Sequence, residues 1–144
     1  MEQVAAICYR YVNNSINYLL VRTHSGRWTF PKGTVEPDEE GWLAAEREAF
    51  EEAGVTGVIL RKFLTTYLHA KKAWEDEGKE TKVHAFLFEV KKTQIPEEKH
   101  RNPTWFSFSA AEDALVEGRP LKYAQELRRV LREANNRISV VLKE

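Results

Sequence analysis

The segment 33–55, GTVEPDEEGWLAAEREAFEEAGV, constrains this chain more than any other part of it. It contains seven glutamates, one aspartate and a single arginine, Arg47, although the whole 144-residue chain has 22 basic and 22 acidic residues. Its spacing predicts a helix over about 40–53 that ends at Gly54. Like charges three or four residues apart destabilise a helix by about 0.2–0.5 kcal/mol per pair. The segment therefore needs a role that offsets this repulsion.

Three carboxylates of the predicted helix share one side of it. At 100° per residue, Glu52 lies about 40° to one side of Glu48 and Glu51 lies about 60° to the other. Ala44 and Ala45 fall one turn earlier on the same arc and leave space there. Such an arc suits Mg²⁺, which prefers carboxylate oxygen and water. The alternative is an acidic helix face in solvent, for which no metal dependence is expected. The residues expected to face the core are Trp42, Leu43, Phe50 and Ala53.

The rest of the chain has the pattern of strands mixed with a few helices, which indicates a layered α/β or α+β domain. We expect residues 1–144 to form one domain. Strands are predicted over 4–12 and 17–23, joined by a turn, and over 55–70, 81–90 and 104–109. A short extended piece, 26–33, precedes the acidic helix. Two more helices are predicted over 109–118 and 121–136, the second with an apolar stripe. The stripe consists of Leu121, Leu127, Val130 and Leu131.

Charge and composition narrow the class of protein. The formal net charge is zero, so it gives no support to a long nucleic acid as a partner. The single cysteine, Cys8, allows no internal disulfide and suits a reducing compartment. No apolar run is long enough for a membrane span, and the N-terminal sequence lacks the features of a signal peptide. We expect a cytoplasmic protein without membrane partners, either a monomer or a homodimer.

The spacing of the acidic segment resembles a known motif. From Gly33 the order is glycine, five residues, Glu39, seven residues, and then REAFEEAGV. This resembles the Nudix box, G-x5-E-x7-R-E-U-x-E-E-x-G-U, in which U is a bulky aliphatic residue. Every charged and glycine position is present, and Ala49 at the first U position is a departure that affects packing. The resemblance implies a Nudix-type α/β/α sandwich with a central mixed β-sheet. It also implies hydrolysis of a nucleoside diphosphate linked to another group, with Mg²⁺ or Mn²⁺ as the cofactor.

The resemblance assigns roles to the residues of the box. Glu51 and Glu52 are expected to be the principal metal ligands. Glu48 is expected to be a further ligand or the base that deprotonates the attacking water. Arg47 and Glu39 resemble the pair that orients the catalytic helix, and an arginine can hold a carboxylate with two hydrogen bonds.

The resemblance also suggests ligands outside the three glutamates. In the family a backbone carbonyl near the first glycine of the box can bind metal, which makes Gly33 a candidate. Some relatives place a glutamate directly before the late tryptophan, but this chain has Thr104 there. Glu97 or Glu98 is then the candidate acid, in a layout similar to that of diadenosine tetraphosphate hydrolases. We favour Glu98, and the alternative is that both acids are only solvated.

Contacts with the substrate are less constrained by the sequence. The stretch WTFPKG before the box resembles the branch that acts on diadenosine polyphosphates and diphosphoinositol polyphosphates. Lys32 is a candidate phosphate contact, as is His69, while Tyr67 and Trp74 are candidates to stack on a base. Arg27 is expected to belong to a basic rim of the cleft. The other members of that rim are Lys71, Lys72, Lys79 and Lys82.

These features predict metal-dependent hydrolysis of a pyrophosphate linkage, with a dinucleoside polyphosphate such as diadenosine tetraphosphate as the first substrate. The alternative substrates are a diphosphoinositol polyphosphate, a nucleoside triphosphate, a nucleotide sugar and a 5′-capped RNA. A different class is a Nudix module that binds a nucleotide without cleaving it. Such modules usually have eroded boxes, and the intact Glu48, Glu51 and Glu52 argue against one here.

Overall fold

The computed structural model describes residues 3–70 and 80–143, and within them eight strands form one sheet. The strands are β1 (Gln3–Val12), β2 (Ser15–Arg22), β3 (Trp28–Thr29), β4 (Lys32–Thr34), β5 (Val55–Ile59), β6 (Thr65–Ala70), β7 (Glu80–Thr93) and β8 (Thr104–Ser107). The helices are α1 (Gly41–Ala53), α2 (Phe108–Val116) and α3 (Leu121–Lys143), with a single 3₁₀ turn at Lys99–Arg101.

The sheet is mixed. Its two central strands, β1 and β7, run parallel, with Gln3 opposite Val83 and Tyr9 opposite Glu89. All the other pairs are antiparallel. The edge of β1 away from β7 pairs with β2 and β4, and the edge of β7 away from β1 pairs with β5 and β6. One end of the sheet therefore has the strand order β4–β1–β7–β6, which brings the short strand before α1 close to the centre.

Helices cover both faces of the sheet. Along β1, Val4, Ala6 and Cys8 pack in the core beneath α1, while Ala5 and Ile7 pack in the core beneath α2 and α3. A strand buried on both faces has a nearly continuous apolar sequence, as β1 has. The arrangement confirms the expected α/β/α sandwich around a mixed sheet.

The face that α1 turns to the sheet differs from the prediction. Ala44, Ala45 and Ala49 are fully buried against the sheet, whereas Leu43 is 39% exposed and Phe50 is half-buried. The small alanine side chains form the contact surface, so the larger side chains turn outward. The prediction was wrong for Leu43, Phe50 and the two alanines placed on the open arc. It was right that Trp42 and Ala53 pack against the core.

The segment 55–70 forms two strands rather than the single strand predicted. Both pair with β7, β5 along its second half and β6 along its first half. Strand β7 is longer than the predicted 81–90, and it carries both partners on one edge. The register of β5 shifts between Thr56 and Gly57, where an added Cβ on the glycine would overlap the Glu89 carbonyl oxygen.

The C-terminal elements follow the prediction with two changes. The predicted strand 104–109 ends at Ser107, because its side chain accepts a hydrogen bond from the Ala110 N–H at 3.2 Å and begins α2. In α3 the buried stripe contains Leu127, Val130 and Leu131, as predicted, but Leu121 is 72% exposed and does not belong to it. The stripe instead continues through Ala134 and Ile138.

Candidate active site

The C-terminal end of α1 fixes where its carboxylates lie. Gly54 ends the helix in a left-handed conformation, with φ 66°, and its N–H donates to the Phe50 carbonyl at 2.9 Å. A Cβ on Gly54 would overlap the Gln94 carbonyl oxygen, so a glycine is needed there for space as well as for φ. This packing places the acidic side of the helix against β4.

Glu48 lies directly against β4. A Cβ built on Gly33 would overlap the carboxyl group of Glu48. Gly33 has no left-handed φ, so its lack of a side chain matters for close approach alone. Gly33 therefore allows a carboxylate of α1 to contact the strand backbone.

Glu52 is the most buried of the three carboxylates. It is 2% exposed, and its Oε1 lies 3.4 Å from the Lys32 N–H, a long hydrogen bond. The side chains of Glu48 and Glu51 are 12% and 31% exposed. Burial first, and the adjacent Glu48 carboxylate second, raise the pKa of Glu52 well above its usual range. Burial and Glu48 also raise the pKa of Glu51.

Arg47 connects the box. Its Nε and Nη2 donate to the two carboxylate oxygens of Glu39, both at 2.9 Å, in the bidentate form expected of such a pair. Nη1 donates to Glu48 Oε1 at 2.8 Å and lies 3.5 Å from Glu51, while Nη2 also donates to the Thr34 carbonyl at 3.1 Å. The hydrogen bond from Arg47 lowers the pKa of Glu39.

The loop before α1 holds Glu39 in place. Its Oε1 accepts a hydrogen bond from the Glu36 N–H at 3.0 Å, and its own N–H donates to the Glu36 carbonyl at 3.1 Å. Asp38 takes a left-handed φ of 63° in this turn. Arg47 therefore ties the helix to the preceding loop through Glu39 and to β4 through the Thr34 carbonyl.

The segment after β7 closes over the end of α1. The Glu98 N–H donates to the Glu51 carbonyl at 3.0 Å, and the Glu98 carboxylate pairs with Arg101 Nε at 2.9 Å. Arg101 Nη1 also donates to the Arg22 carbonyl at 3.3 Å. The negative charges of Glu97 and Glu98 contribute to the raised pKa of Glu51. The structure thus brings Glu98 next to the box carboxylates, with its side chain directed to Arg101.

The residues predicted to contact the substrate differ in how exposed they are. Lys32 lies beside the carboxylates and Arg27 is exposed on the turn before β3. Tyr67 is 2% exposed and packs against Phe30, with ring centroids 6.4 Å apart, so the prediction that its ring stacks on a base is wrong. Trp74 lies outside the described residues. So do Lys71, Lys72 and Lys79.

A cavity of about 750 Å³ lies on the outer side of α1. Its walls include Leu43, Glu46 and Phe50, and it reaches Arg47, but none of the three clustered carboxylates lines it. It is therefore distinct from the carboxylate site. Glu46, the one glutamate of α1 that does not belong to the motif, lines this cavity.

Comparison with known proteins places this geometry in a family. The NUDIX domain family matches residues 1–133. Nudix hydrolase 16, mitochondrial, of Arabidopsis thaliana is 33% identical over 137 residues, which cover 78% of this chain and 76% of the relative. The asymmetrical bis(5'-nucleosyl)-tetraphosphatase of Caenorhabditis elegans is 31% identical over 119 residues, covering 80% and 83%.

Two further matches concern one branch of that family. The crystal structure of a C. elegans Ap4A hydrolase binary complex superposes with a TM-score of 0.75 at 26% identity, covering 95% of this chain and 96% of that one. Diphosphoinositol polyphosphate phosphohydrolase 3-beta of Bos taurus is 42% identical over 62 residues, covering 42% of this chain and 37% of the relative.

The chain therefore belongs to the Nudix family. Within that family it is a pyrophosphohydrolase, and its matches include the Ap4A hydrolases and the diphosphoinositol polyphosphate phosphohydrolases. No helix in the part of the chain that the structure describes is long and apolar enough to cross a membrane.

Nudix hydrolases generally use divalent metal ions, and the chemistry of the clustered residues fits such an ion. Glu48 lies at a backbone left open by Gly33, and Glu52 lies next to Glu48, where burial first and the Glu48 carboxylate second raise its pKa. Over residues 3–70 and 80–143, however, no three His, Cys, Asp or Glu side chains converge closely enough to hold a metal as they are placed. Glu48 and Glu51 contact Arg47 instead.

Sequence reasoning missed three groups at this site. The Thr34 carbonyl that accepts from Arg47 carries no sequence signal, because every residue has a carbonyl. Arg101 follows Glu98 by three residues, a spacing that allows an ion pair in a helical turn. Arg119, in the turn between α2 and α3, lies close enough for its charge to act on Lys32, and no sequence pattern could have identified it.

Proposed function

We propose that this chain hydrolyses a dinucleoside polyphosphate, with diadenosine tetraphosphate as the first candidate, in a reaction that requires Mg²⁺ or Mn²⁺. The proposed substrate is supported by the similarity to C. elegans Ap4A hydrolase along nearly the whole length of both chains. The intact carboxylate cluster supports hydrolysis over binding alone.

The metal would be held by Glu48, Glu51 and Glu52, with the Gly33 backbone and Glu98 as further ligands. Oxygen ligands of this kind suit Mg²⁺. When bound, the cation would supply charge neutralisation and Lewis-acid polarisation at the phosphoryl group. Two of these residues also have a role independent of ligation. Burial keeps the Glu52 carboxylate dry, and Gly33 lets Glu48 reach the strand backbone.

The remaining box residues position the helix. Arg47 holds Glu39 through two hydrogen bonds and Glu48 through a third, so these contacts keep the Glu48 carboxylate close to β4. Glu48, with Glu52 beside it, is the group we assign to taking the proton from the attacking water. Phosphoryl transfer depends chiefly on such positioning and on electrostatics.

Basic groups are assigned to the phosphates of the substrate. Lys32 lies at the carboxylate cluster and Arg27 lies at the turn before β3, and both carry positive charge without a carboxylate partner within the described residues. Trp74 stays a prediction for base stacking. Lys32 is closer to the carboxylates than Arg27 is, since its backbone N–H lies 3.4 Å from Glu52 Oε1 and the charge of Glu52 acts on its side chain.

A diphosphoinositol polyphosphate is the second candidate substrate. The observation that favours it is the 42% identity to the bovine diphosphoinositol polyphosphate phosphohydrolase 3-beta, although over only 62 residues. Both candidates have phosphoanhydride bonds and a high negative charge.

The decisive experiment is a substrate panel assayed with MgCl₂, with the products identified. The panel contains diadenosine tetraphosphate, a diphosphoinositol polyphosphate, a nucleoside triphosphate, a nucleotide sugar and a 5′-capped RNA. We expect the highest kcat/KM for diadenosine tetraphosphate and no turnover in EDTA. A higher kcat/KM for another member of the panel would reject the substrate, and turnover undiminished by EDTA would reject the metal.

The variant Glu52→Gln tests the site, with Glu46→Gln as the matched control. Both change one glutamate of α1, but Glu46 faces the outer cavity. We expect Glu52→Gln to lower kcat by orders of magnitude with folding preserved, and Glu46→Gln to keep wild-type activity. Full activity of Glu52→Gln would rule out the proposed mechanism, and the absence of any hydrolysis by the wild type would favour a nucleotide-binding module.

We also propose that residues 1–144 form one domain that acts in the cytoplasm as a monomer or a homodimer. Light scattering after size exclusion measures the oligomeric state, and imaging of a C-terminally tagged chain measures the compartment. The name of the Arabidopsis relative gives mitochondria for that protein, so a mitochondrial signal is the outcome that would replace the cytoplasm here.

A further inference from the structure

The turn between α2 and α3 brings a second arginine, Arg119, close to Arg27. Arg119 is half-buried, and its Nη1 donates to the Leu115 carbonyl at 2.9 Å. A Cβ on the neighbouring Gly118 would lie 3.8 Å from Cγ and Nε of Arg27. The side chain of Arg27 therefore folds against the turn that carries Arg119.

The strand register places further polar groups on the same side of the sheet. Lys32 stands directly opposite Ala5, which faces the α2–α3 layer, so the Lys32 side chain points to that layer. Tyr67 also faces it, and His69 follows two residues later on the same face of β6. Gly33, one residue after Lys32, faces α1 and Glu48 instead. The carboxylates nevertheless lie close to this group, since the charge of Glu52 acts on both Lys32 and Tyr67.

The basic residues act on one another electrostatically. Burial, followed by the positive charges of Lys32, Arg119 and Arg27, lowers the pKa of His69 to about 4, so this imidazole is neutral at pH 7. Burial also lowers the pKa of Arg119 to about 10, and the charge of Arg27 adds to the effect.

The described residues offer these three cations no salt bridge, although the charges of Glu52 and Glu48 act on Lys32. None of Arg27, Lys32 and Arg119 forms a salt bridge with another residue of 3–70 or 80–143. The hydroxyl of Tyr67, next to them, is buried and has no hydrogen-bond partner. Half-buried cations such as Lys32 and Arg119, and an unpaired buried donor such as the Tyr67 hydroxyl, are stabilised when an anionic ligand satisfies them.

We propose that Arg119, together with Arg27 and Lys32, forms a phosphate-binding subsite beside the carboxylate cluster. It binds the phosphates of the substrate that lie beyond the cleaved linkage, and the Tyr67 hydroxyl donates to one of their oxygens. Substrates with three or more phosphates in a row are therefore favoured over substrates with two. The inference rests on the hydrolase function proposed above and deepens it.

Binding of inorganic tripolyphosphate in EDTA tests the subsite without any turnover. Isothermal titration calorimetry at low ionic strength compares the wild type with Arg119→Gln, Arg119→Lys and the control Arg137→Gln. Arg137 is an exposed arginine of α3, outside this group. We expect Arg119→Gln to weaken binding by about tenfold or more, Arg119→Lys to weaken it less, and Arg137→Gln to match the wild type.

Several results of this titration would overturn the subsite. They are an undetectable affinity of the wild type, an unchanged affinity of Arg119→Gln, or an equal loss in Arg137→Gln. Thermal melts of the four proteins establish that each is folded, and Arg119→Lys keeps the charge if the glutamine variant fails to fold.

A kinetic ratio gives the second readout. The kcat/KM of diadenosine tetraphosphate is divided by that of ADP-ribose, which has two phosphates, for the wild type and for Arg119→Gln. We expect the ratio to fall about tenfold in the variant, and an unchanged ratio would overturn the preference for longer phosphate chains. If neither compound is cleaved, the proposed function fails while the tripolyphosphate titration still decides the subsite.

Discussion

The contact between Gly33 and Glu48 makes a prediction that separates catalysis from folding. In Gly33→Ala the new methyl group would occupy the place of the Glu48 carboxyl group, which must retreat by on the order of 1 Å to reach ordinary contact distance. That movement also strains the hydrogen bond of 2.8 Å from Arg47. Since a misplacement of about 1 Å at a catalytic group costs about 10²-fold in rate, we expect kcat to fall by about that factor.

Stability should respond differently. Gly33 does not have a left-handed φ, so alanine fits the strand conformation. Gly→Ala at such a position stabilises by about 0.4–1 kcal/mol through the unfolded chain, which offsets part of the steric cost. We therefore expect a Tm within about 4 °C of the wild type.

The assay for Gly33→Ala is hydrolysis of diadenosine tetraphosphate with MgCl₂, together with a thermal melt followed by circular dichroism. Ser15→Ala, at the exposed far end of the β1–β2 pair, is the control and should keep both activity and Tm. If Gly33→Ala retains more than about a third of wild-type kcat, far above the expected 10²-fold loss, the close approach of Glu48 to β4 does not matter for catalysis.

Three further predictions concern stability. The raised pKa of Glu52 means that the folded, metal-free protein keeps a proton on Glu52 above the unfolded pKa of about 4.3, so the stability of the protein declines as pH rises. In EDTA at pH 8, Glu52→Gln should therefore melt about 3–6 °C above the wild type, with no difference near pH 4. A melting temperature of Glu52→Gln below that of the wild type at pH 8 would contradict this. The lowered pKa of Glu39 has the opposite effect on stability. The stabilisation from ionised Glu39 is present above about pH 4.3 and is lost as pH falls through the folded pKa of Glu39. The Tm difference between the wild type and Glu39→Gln should therefore shrink from pH 7 to pH 3, and a constant difference would exclude the ion pair as its cause. Glu126 accepts a hydrogen bond from the Leu68 N–H of the edge strand β6 at 2.9 Å, and Glu126→Ala should cost about 1–3 kcal/mol in urea unfolding, whereas an unchanged midpoint would show that water replaces the carboxylate.

The arrangement of the box could be predicted because its spacing fixes geometry within one helix. Residues Glu48, Glu51 and Glu52 fall on one side at 100° per residue, and in the structure Glu48 lies next to Glu52 while Arg47 contacts Glu48 and Glu51. Glu39 is eight residues before Arg47, outside the helix, and only the family resemblance predicted their pairing. In the structure a left-handed turn at Asp38 directly precedes Glu39, which pairs with Arg47.

Features that depend on tertiary packing could not be predicted from local pattern. Alanines give a weak hydrophobic signal, so the helical pattern favoured Leu43 as core and not Ala45. Alternation along β6 shows that Tyr67 and His69 share a face, but not that the core covers the first of them. The segment 55–70 has a continuous strand pattern, and its division follows from the length of β7.

Ala49 is the position at which this chain departs from the Nudix box, and it lies fully buried between α1 and the sheet. With Ala45 and Ala53 it forms a smooth contact line without any large side chain. The size of these side chains sets the distance between the axis of α1 and β4, and hence how far the Glu48 side chain must extend to contact Gly33. The side-chain volume at position 49 therefore controls the distance between α1 and the sheet. A leucine there would increase the distance that the Glu48 side chain has to span.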